Sequence, residues 1–441
     1  MNSRFLACLA TCLFMLIAAA SAEDAPPDAL IAVSWNETVL RVAEAEDGFL
    51  TLKGLRTAAM LHVAMHDALS AINGRYEQYA YRGSNPEADA MAAAAQAAFV
   101  VAAHQYPDKV NAFTELREQQ VASNSMNARQ QSGFELGTAA ATAILEERGG
   151  DGWNAAAEYD WHPMAPGVYA EFNEHSGTPE GFIFGAGWAR AKGFALASPD
   201  QFRSPPPPAI QSDEYTQAYN EVKSVGRFQS MRRTPDQAHL ALWWKDFVEN
   251  SHNRLARDLV DREGLNLAAA NRLFALVNMS IFDAYVSSFD NKFFYNHWRP
   301  YTAIRWAAND GNPDTAPEES WTNLHRHTYA FPSYPSAHGT ASAAAMSAFA
   351  HVFGDDYEFT MRIPVVDIAG PFSGKIQMQP ATRSFSRFSD AARECALSRV
   401  YLGIHFRYDS TEGFVLGQKV GQNALARLPV KKPTTSKSDS D

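Results

Sequence analysis

Residues 54–74 read GLRTAAMLHVAMHDALSAING, with Leu55, Ala58, Ala59, Leu61, His62, Met65, Leu69 and Ile72 recurring at helical period. An apolar stripe at that spacing must be covered by other helices, which points to a bundle rather than a sheet. Working outward, Ala-rich runs at 88–104 and 127–147 read as further helices, the second stopped by Gly149-Gly150. From Asp151 to Pro208 the period dissolves into Gly, Pro and aromatic residues, an irregular crossing segment closed by the stiff linker Ser204-Pro205-Pro206-Pro207-Pro208. Helical patterning resumes over 212–225, 234–260, 265–289, 338–353, 389–403 and 410–427. The pattern predicts an all-α protein of two helical bundles. The first, with the crossing segment and linker, spans 23–208; the second spans 209–428, and 429–441 form a disordered Ser/Thr/Asp-rich tail. Met65-His66-Asp67-Ala68 is echoed by Ile281-Phe282-Asp283-Ala284, each inside an apolar helix. Two related bundles, or chance between Ala-rich helices, would both produce that echo.

Composition narrows the function classes. The 441 residues exceed one average domain, and 46% hydrophobic with 20% charged residues is ordinary for a globular protein. Residues 1–22 have the form of a secretory signal: Arg4, an apolar stretch from Phe5 to Ala19, then Ala20-Ser21-Ala22 before Glu23. An uncleaved anchor is the alternative. The expected destination is the periplasm or the exterior, with no membrane association after cleavage. Cys8 and Cys12 would leave with the signal, so Cys395 alone would remain and no internal disulfide could form. Without Arg4 the chain carries 37 basic against 49 acidic residues, a net −12 that disfavours nucleic acid as a partner. Whether the protein forms a homodimer is left open by the sequence.

Against that acidic average, the last third gathers cations and imidazoles. Lys292 is followed by six residues and Arg299-Pro300; then comes Pro335-Ser336-Ala337-His338; then Ser398-Arg399, five residues, His405, three more, and Asp409. Lys292 and Arg299 lie two helical turns apart and can face one way, and Pro300 ends that segment at Arg299. Ser336 is a favoured N-cap before an Ala-rich helix whose first N–H groups point toward an anion. His338 there can move protons, and Gly403 breaks a helix so that His405 turns toward Arg399. Asp409 can hold one ring nitrogen of His405 and free the other. Fixed charge and donors in this number suit a tetrahedral oxyanion, whose water is otherwise too costly to strip.

These three segments resemble the superfamily joining vanadium-dependent haloperoxidases with type 2 phosphatidic acid phosphatases and bacterial non-specific acid phosphatases. Every position of its pattern is matched except Ala337, where the family usually has Gly. The flanking runs Asn296 to Arg305, Phe331 to Pro335 and Gly403 to Asp409 are similar to the haloperoxidase branch, as is Ser198 to Arg203 upstream. The resemblance implies the two-bundle fold of the vanadium chloroperoxidase and acid phosphatase type. It implies vanadate held by Lys292, Arg299, Ser336, the Ala337 N–H, His338 and Arg399, with His405 as axial ligand to vanadium. His338 would be the acid/base and Lys292 would polarise peroxide, which oxidises halide to hypohalous acid for an organic acceptor. Phosphate can occupy the same pocket, so an acid phosphatase working through a phosphohistidine on His405 is the alternative. Phe331, seven residues before His338, and Phe289, three before Lys292, are candidate walls of the halide pocket, with plain core as the competing reading. His62 and His66 share a helical face beside Asp67, a metal-ligand spacing for which packing is the favoured reading; His325 and His327 could line the entrance to the pocket, with solvated loop residues the favoured reading. The halide, the acceptor and the effect of Ala337 are not legible.

Overall fold

The computed structural model describes residues 28–369 and 374–431; the segment read as a signal and residues 432–441 of the expected tail lie outside them. The first group of helices is α1 (Ala29–Asp47), α2 (Lys53–Asn73), α3 (Ala90–Gln105), α4 (Val110–Gln120) and α5 (Ala128–Glu147). The crossing segment contributes only α6 (Asn173–Ser176) and a short 3-10 turn at Ala186–Arg190. The second group is α7 (Asp213–Val225), α8 (Pro235–Trp243), α9 (Val248–Arg262), α10 (Leu267–Tyr295), α11 (Pro300–Trp306), α12 (Ala337–Phe353), α13 (Phe388–Leu402) and α14 (Arg407–Leu425). Between α12 and α13 lie two small antiparallel pairs, β1 (Asp356–Arg362) with β4 (Thr382–Arg387) and β2 (Val366–Asp367) with β3 (Lys375–Ile376). The protein is all-helical in class, with helical bundles as its architecture.

The two groups are not separate bodies. One apolar core runs from Trp35 and Leu61 through Phe274 and Leu276 to Phe349 and Val420. Its spine is α10, buried along most of its length and packed against α1 and α2 on one side and α12 and α14 on the other. Helices α12 and α14 approach closely because α14 presents Gly413, Gly417 and Gly421 at four-residue spacing. A Cβ on Gly417 would lie 2.2 Å from the Thr340 carbonyl oxygen. That contact sets His405 and Asp409, at the start of α14, against Ser336 and His338, at the start of α12.

The internal echo has a structural meaning. Asp67 of α2 accepts the N–H groups of Tyr79, Ala80 and Tyr81, and Asp283 of α10 accepts those of Phe194, Ala195 and Leu196. The Tyr79 hydroxyl donates to the Phe194 carbonyl at 2.7 Å, which ties the two anchored loops together. Burial pushes both carboxyls up to about 6, and the three N–H groups on each oppose that shift. His62 is held by Asn271 and Asn36, and His66 by the Glu77 carbonyl, so neither faces a metal.

Several boundaries differ from expectation. The helix read over 234–260 breaks at Trp244–Phe247, where both indole N–H groups leave the bundle, Trp243 for the Ala381 carbonyl and Trp244 for Glu394. Helix α10 runs on to Tyr295 and is ended by Asn296 in the left-handed region (φ 49°). Lys292 and Arg299 therefore sit on different elements, Arg299 being the residue before Pro300 at the first turn of α11. Residues 429–431, placed in the tail from composition, are held instead: Glu77 N–H donates to Pro429 O and Lys431 N–H to Arg75 O. No apolar signal marks them, because their bonds are main-chain. Among the described residues no helix is long and apolar enough to cross a membrane.

Candidate active site

Five short stretches converge on one buried pocket: the end of α10, the α10–α11 turn, residues 331–338, the end of α13 and the start of α14. Gly403 caps α13 at φ 86° with its Cα packed on Gly226, and the chain reverses there to bring His405 beside Arg399. Ser336 caps α12, its hydroxyl accepting the Gly339 N–H at 3.3 Å while its own N–H donates to the Asp409 carbonyl at 2.9 Å. Ala337 is the first residue of α12 and is absent from the positive-φ positions, so alanine fits there without strain and its N–H stays available.

His405 is clamped at one nitrogen. Asp409 Oδ2 accepts from His405 Nδ1 at 3.0 Å, from the Phe406 N–H at 3.0 Å and from the Ser333 hydroxyl. With Nδ1 protonated, Nε2 carries a lone pair, which here receives Arg299 Nη1 at 3.1 Å. Burial, then the charges of Arg299, Lys292 and Arg399, hold His405 well below its ordinary range, so the ring is neutral. Burial also pushes Asp409 up to about 7, against Ser333, Lys292 and the Phe406 N–H, which favour its charged form.

The cations are held by main-chain carbonyls rather than acids. Lys292 Nζ donates to Pro332 O at 3.0 Å and Ser333 O at 2.7 Å. Arg299 Nε donates to Phe331 O at 2.8 Å and Nη1 to Ile404 O at 2.9 Å, while Arg399 Nη1 donates to Trp244 O at 3.0 Å. Relative exposures of 0, 0 and 2% make all three buried charges, and among the described residues none has an ion pair. Burial is the first cause lowering each of them, with Arg299 brought down to about 10. Four further buried atoms of the site residues lack any partner: Arg299 Nη2, Arg399 Nε, His338 Nε2 and Asp409 Oδ1. An unpaired buried donor costs about 1–3 kcal/mol, more when charged, so the two unpartnered guanidinium nitrogens mark a place built for an anion, with the His338 Nε2 lone pair beside it. The donor set thus fits a tetrahedral oxyanion such as vanadate or phosphate.

His338 is half-buried with its Nε2 atom shielded from solvent, and burial with Arg399 holds its imidazole well below the ordinary range, so the ring is neutral. Phe331 lies over the cations, its ring centroid 4.6 Å from Arg299 Cζ and 5.2 Å from Lys292 Nζ, and so borders the pocket. Phe289 stands one layer behind, 5.2 Å from Phe331 and 4.6 Å from Trp188. Sequence reasoning missed Ser333, which links Asp409 to His405, and the carbonyls of Phe331, Pro332, Ile404 and Trp244. Carbonyls leave no residue signature; only Ser333 was readable, within the Phe331 to Pro335 run. His325 and His327, read as solvated, are instead 1 and 7% exposed. Their loop is tucked under α13, with the Leu324 N–H on the Gly226 and Leu402 carbonyls.

Comparison with known proteins agrees with this geometry. Residues 272–430, which contain every cation and imidazole just described, match the VCPO second helical-bundle domain. The chain is 28% identical over 269 residues to the vanadium chloroperoxidase of Curvularia inaequalis, a match covering 49% of this chain but 43% of that relative's length. The crystal structure of the first bacterial vanadium-dependent iodoperoxidase superposes with a TM-score of 0.71 at 21% identity, covering 93% of this chain and 99% of that one. An apo-type bacterial vanadium-dependent chloroperoxidase gives 0.64 at 17% identity, covering 86% and 94%. Residues 272–430 thus carry the VCPO second helical-bundle domain, and the chain as a whole shares the fold of the bacterial vanadium-dependent haloperoxidases.

Proposed function

We propose that the protein is an exported, vanadate-dependent haloperoxidase: hydrogen peroxide, a halide and a proton give hypohalous acid and water, and the hypohalous acid halogenates an organic acceptor. The observation that carries this reading is the set of three buried, acid-free cations with unpartnered Arg299 Nη2, Arg399 Nε and His338 Nε2 converging beside the Nε2 lone pair of His405. Lys292, Arg299, Arg399, the Ser336 hydroxyl and the Ala337 N–H would hold the oxyanion, and His405 Nε2 would exchange Arg299 for the metal. When bound, vanadate supplies a Lewis-acid centre that activates peroxide. The side chains do the rest. Neutral His338 takes the proton that peroxide must lose, the cations stabilise charge as it develops, and Asp409 keeps His405 in the required tautomer. Phe331 and its aromatic neighbours exclude bulk water from the cation side.

The test is halogenation of a diketone by peroxide and bromide with purified protein, with and without added vanadate. Vanadate-dependent turnover that disappears in His405→Ala supports the proposal. Hydrolysis of an aryl phosphate, inhibited by vanadate and unaccompanied by halogenation, would replace it with the phosphatase reading.

A further inference from the structure

Beside the oxyanion pocket lies a second polar cluster that the pocket does not use. His325 is buried and both of its ring nitrogens lack a partner; among the described residues it is the one side chain with two such atoms. Its ring centroid is 5.7 Å from His327 and 6.1 Å from Tyr329, and His327 is 4.9 Å from Tyr329. Lys245, in the break between α8 and α9, is also buried, its ammonium donating to the Asp367 carbonyl. The positive charges of Lys245 and Arg399 both act on His325, and Tyr329 hydrogen-bonds the Arg399 side chain. Tyr329 thus joins the cluster to Arg399, whose Nε is unpartnered. Asp367 is the acid that acts on Lys245 and Tyr329, set against the two cations.

Resting on the haloperoxidase reading, we infer that His325, His327, Lys245 and Arg399 form the docking position for the halide, next to the oxyanion pocket. A neutral imidazole offers one N–H, and a buried imidazole with no protein partner needs an outside group to receive it. A halide is small, monovalent and indifferent to direction, so it can accept from an imidazole N–H while lying between an ammonium, a guanidinium and the positive edge of a tyrosine ring. A tetrahedral oxyanion has its own cradle at Lys292, Arg299 and Arg399. His325, His327, Lys245 and Arg399 are each buried, which suits a monatomic ion better than an organic acceptor.

The experiment is a bromide soak of vanadate-free crystals, read by anomalous scattering, with bromide titration of the same protein by calorimetry. A bromide peak within hydrogen-bonding distance of the His325 ring, lost in His325→Phe and retained in His325→Gln, is the expected result. In vanadate-loaded enzyme, His325→Phe and Lys245→Met should each raise the bromide KM about tenfold to a hundredfold, leaving vanadate affinity within twofold. Ordered water alone at His325, or a bromide KM unmoved by either variant, overturns the inference. Absence of halogenation by the loaded wild type would sink the haloperoxidase reading instead, and bromide binding to the vanadate-free protein decides the docking site separately.

Discussion

At the scale of single residues, the pocket turns on which nitrogen of His405 carries the proton. Asp409→Asn keeps the shape but offers an amide N–H where a carboxylate oxygen received Nδ1–H. The imidazole proton should then shift to Nε2, and vanadate affinity should fall about tenfold to a hundredfold, measured by titration of the folded variant. Ala337→Gly gives the opposite expectation. The backbone there needs no positive φ, so glycine adds nothing to the anion site and only loosens the first turn of α12. Vanadate affinity should stay within about twofold while stability in urea falls by about 0.5–1 kcal/mol. A large gain in affinity would show that the Ala337 N–H is misplaced.

At the scale of elements, the decisive contact is the glycine seam between α12 and α14. Gly417→Val places carbon where the Thr340 carbonyl already lies, so the helices must separate. A loss of about 1–3 kcal/mol is expected in thermal or urea unfolding, together with weakened vanadate binding, because the seam aligns His405 with Ser336. Unchanged binding in a destabilised variant would mean that the first turns of α12 and α14 are positioned by something else. The paired anchors Asp67 and Asp283 work at the same scale, each fixing a three-residue loop to a helix of a different bundle.

At the scale of the whole molecule, buried histidines govern the response to acid. His62, His66 and His327 are lowered to about 4, and His175, His252 and His297 to about 3, with burial the leading cause; burial likewise holds His325, His338 and His405 well below the ordinary range. A folded pKa below the unfolded value means stability present above about pH 6.5 and lost as pH falls through the folded values. Asp67, Asp246, Asp283, Glu249 and Asp409 are raised and work in the opposite sense over roughly pH 4 to 7, but they are fewer. The apo-protein Tm should therefore drop as pH is lowered from about 6.5 toward 4. Vanadate should raise Tm at neutral pH, by about 2.7 kcal/mol of stability at a hundredfold excess over Kd, and should not do so in His405→Ala. A Tm indifferent to vanadate in the wild type would contradict the pocket's proposed occupant.

The order and spacing of Lys292, Arg299, Ser336, His338, Arg399, His405 and Asp409, and the 3.6-residue periods around them, were readable from the chain. Side-chain type and helical period are local properties. The same locality explains where period misleads: it runs a helix through Trp244, where long-range partners of two indoles break it, and a loop beneath a helix has no periodic mark to show that His325 is buried. Tertiary structure alone decided that Lys292 and Arg299 meet from separate elements, that backbone carbonyls rather than acids hold the cations, and that His325 is left without a partner. Each depends on which distant backbone atoms come into reach, and that is set by packing over the whole core.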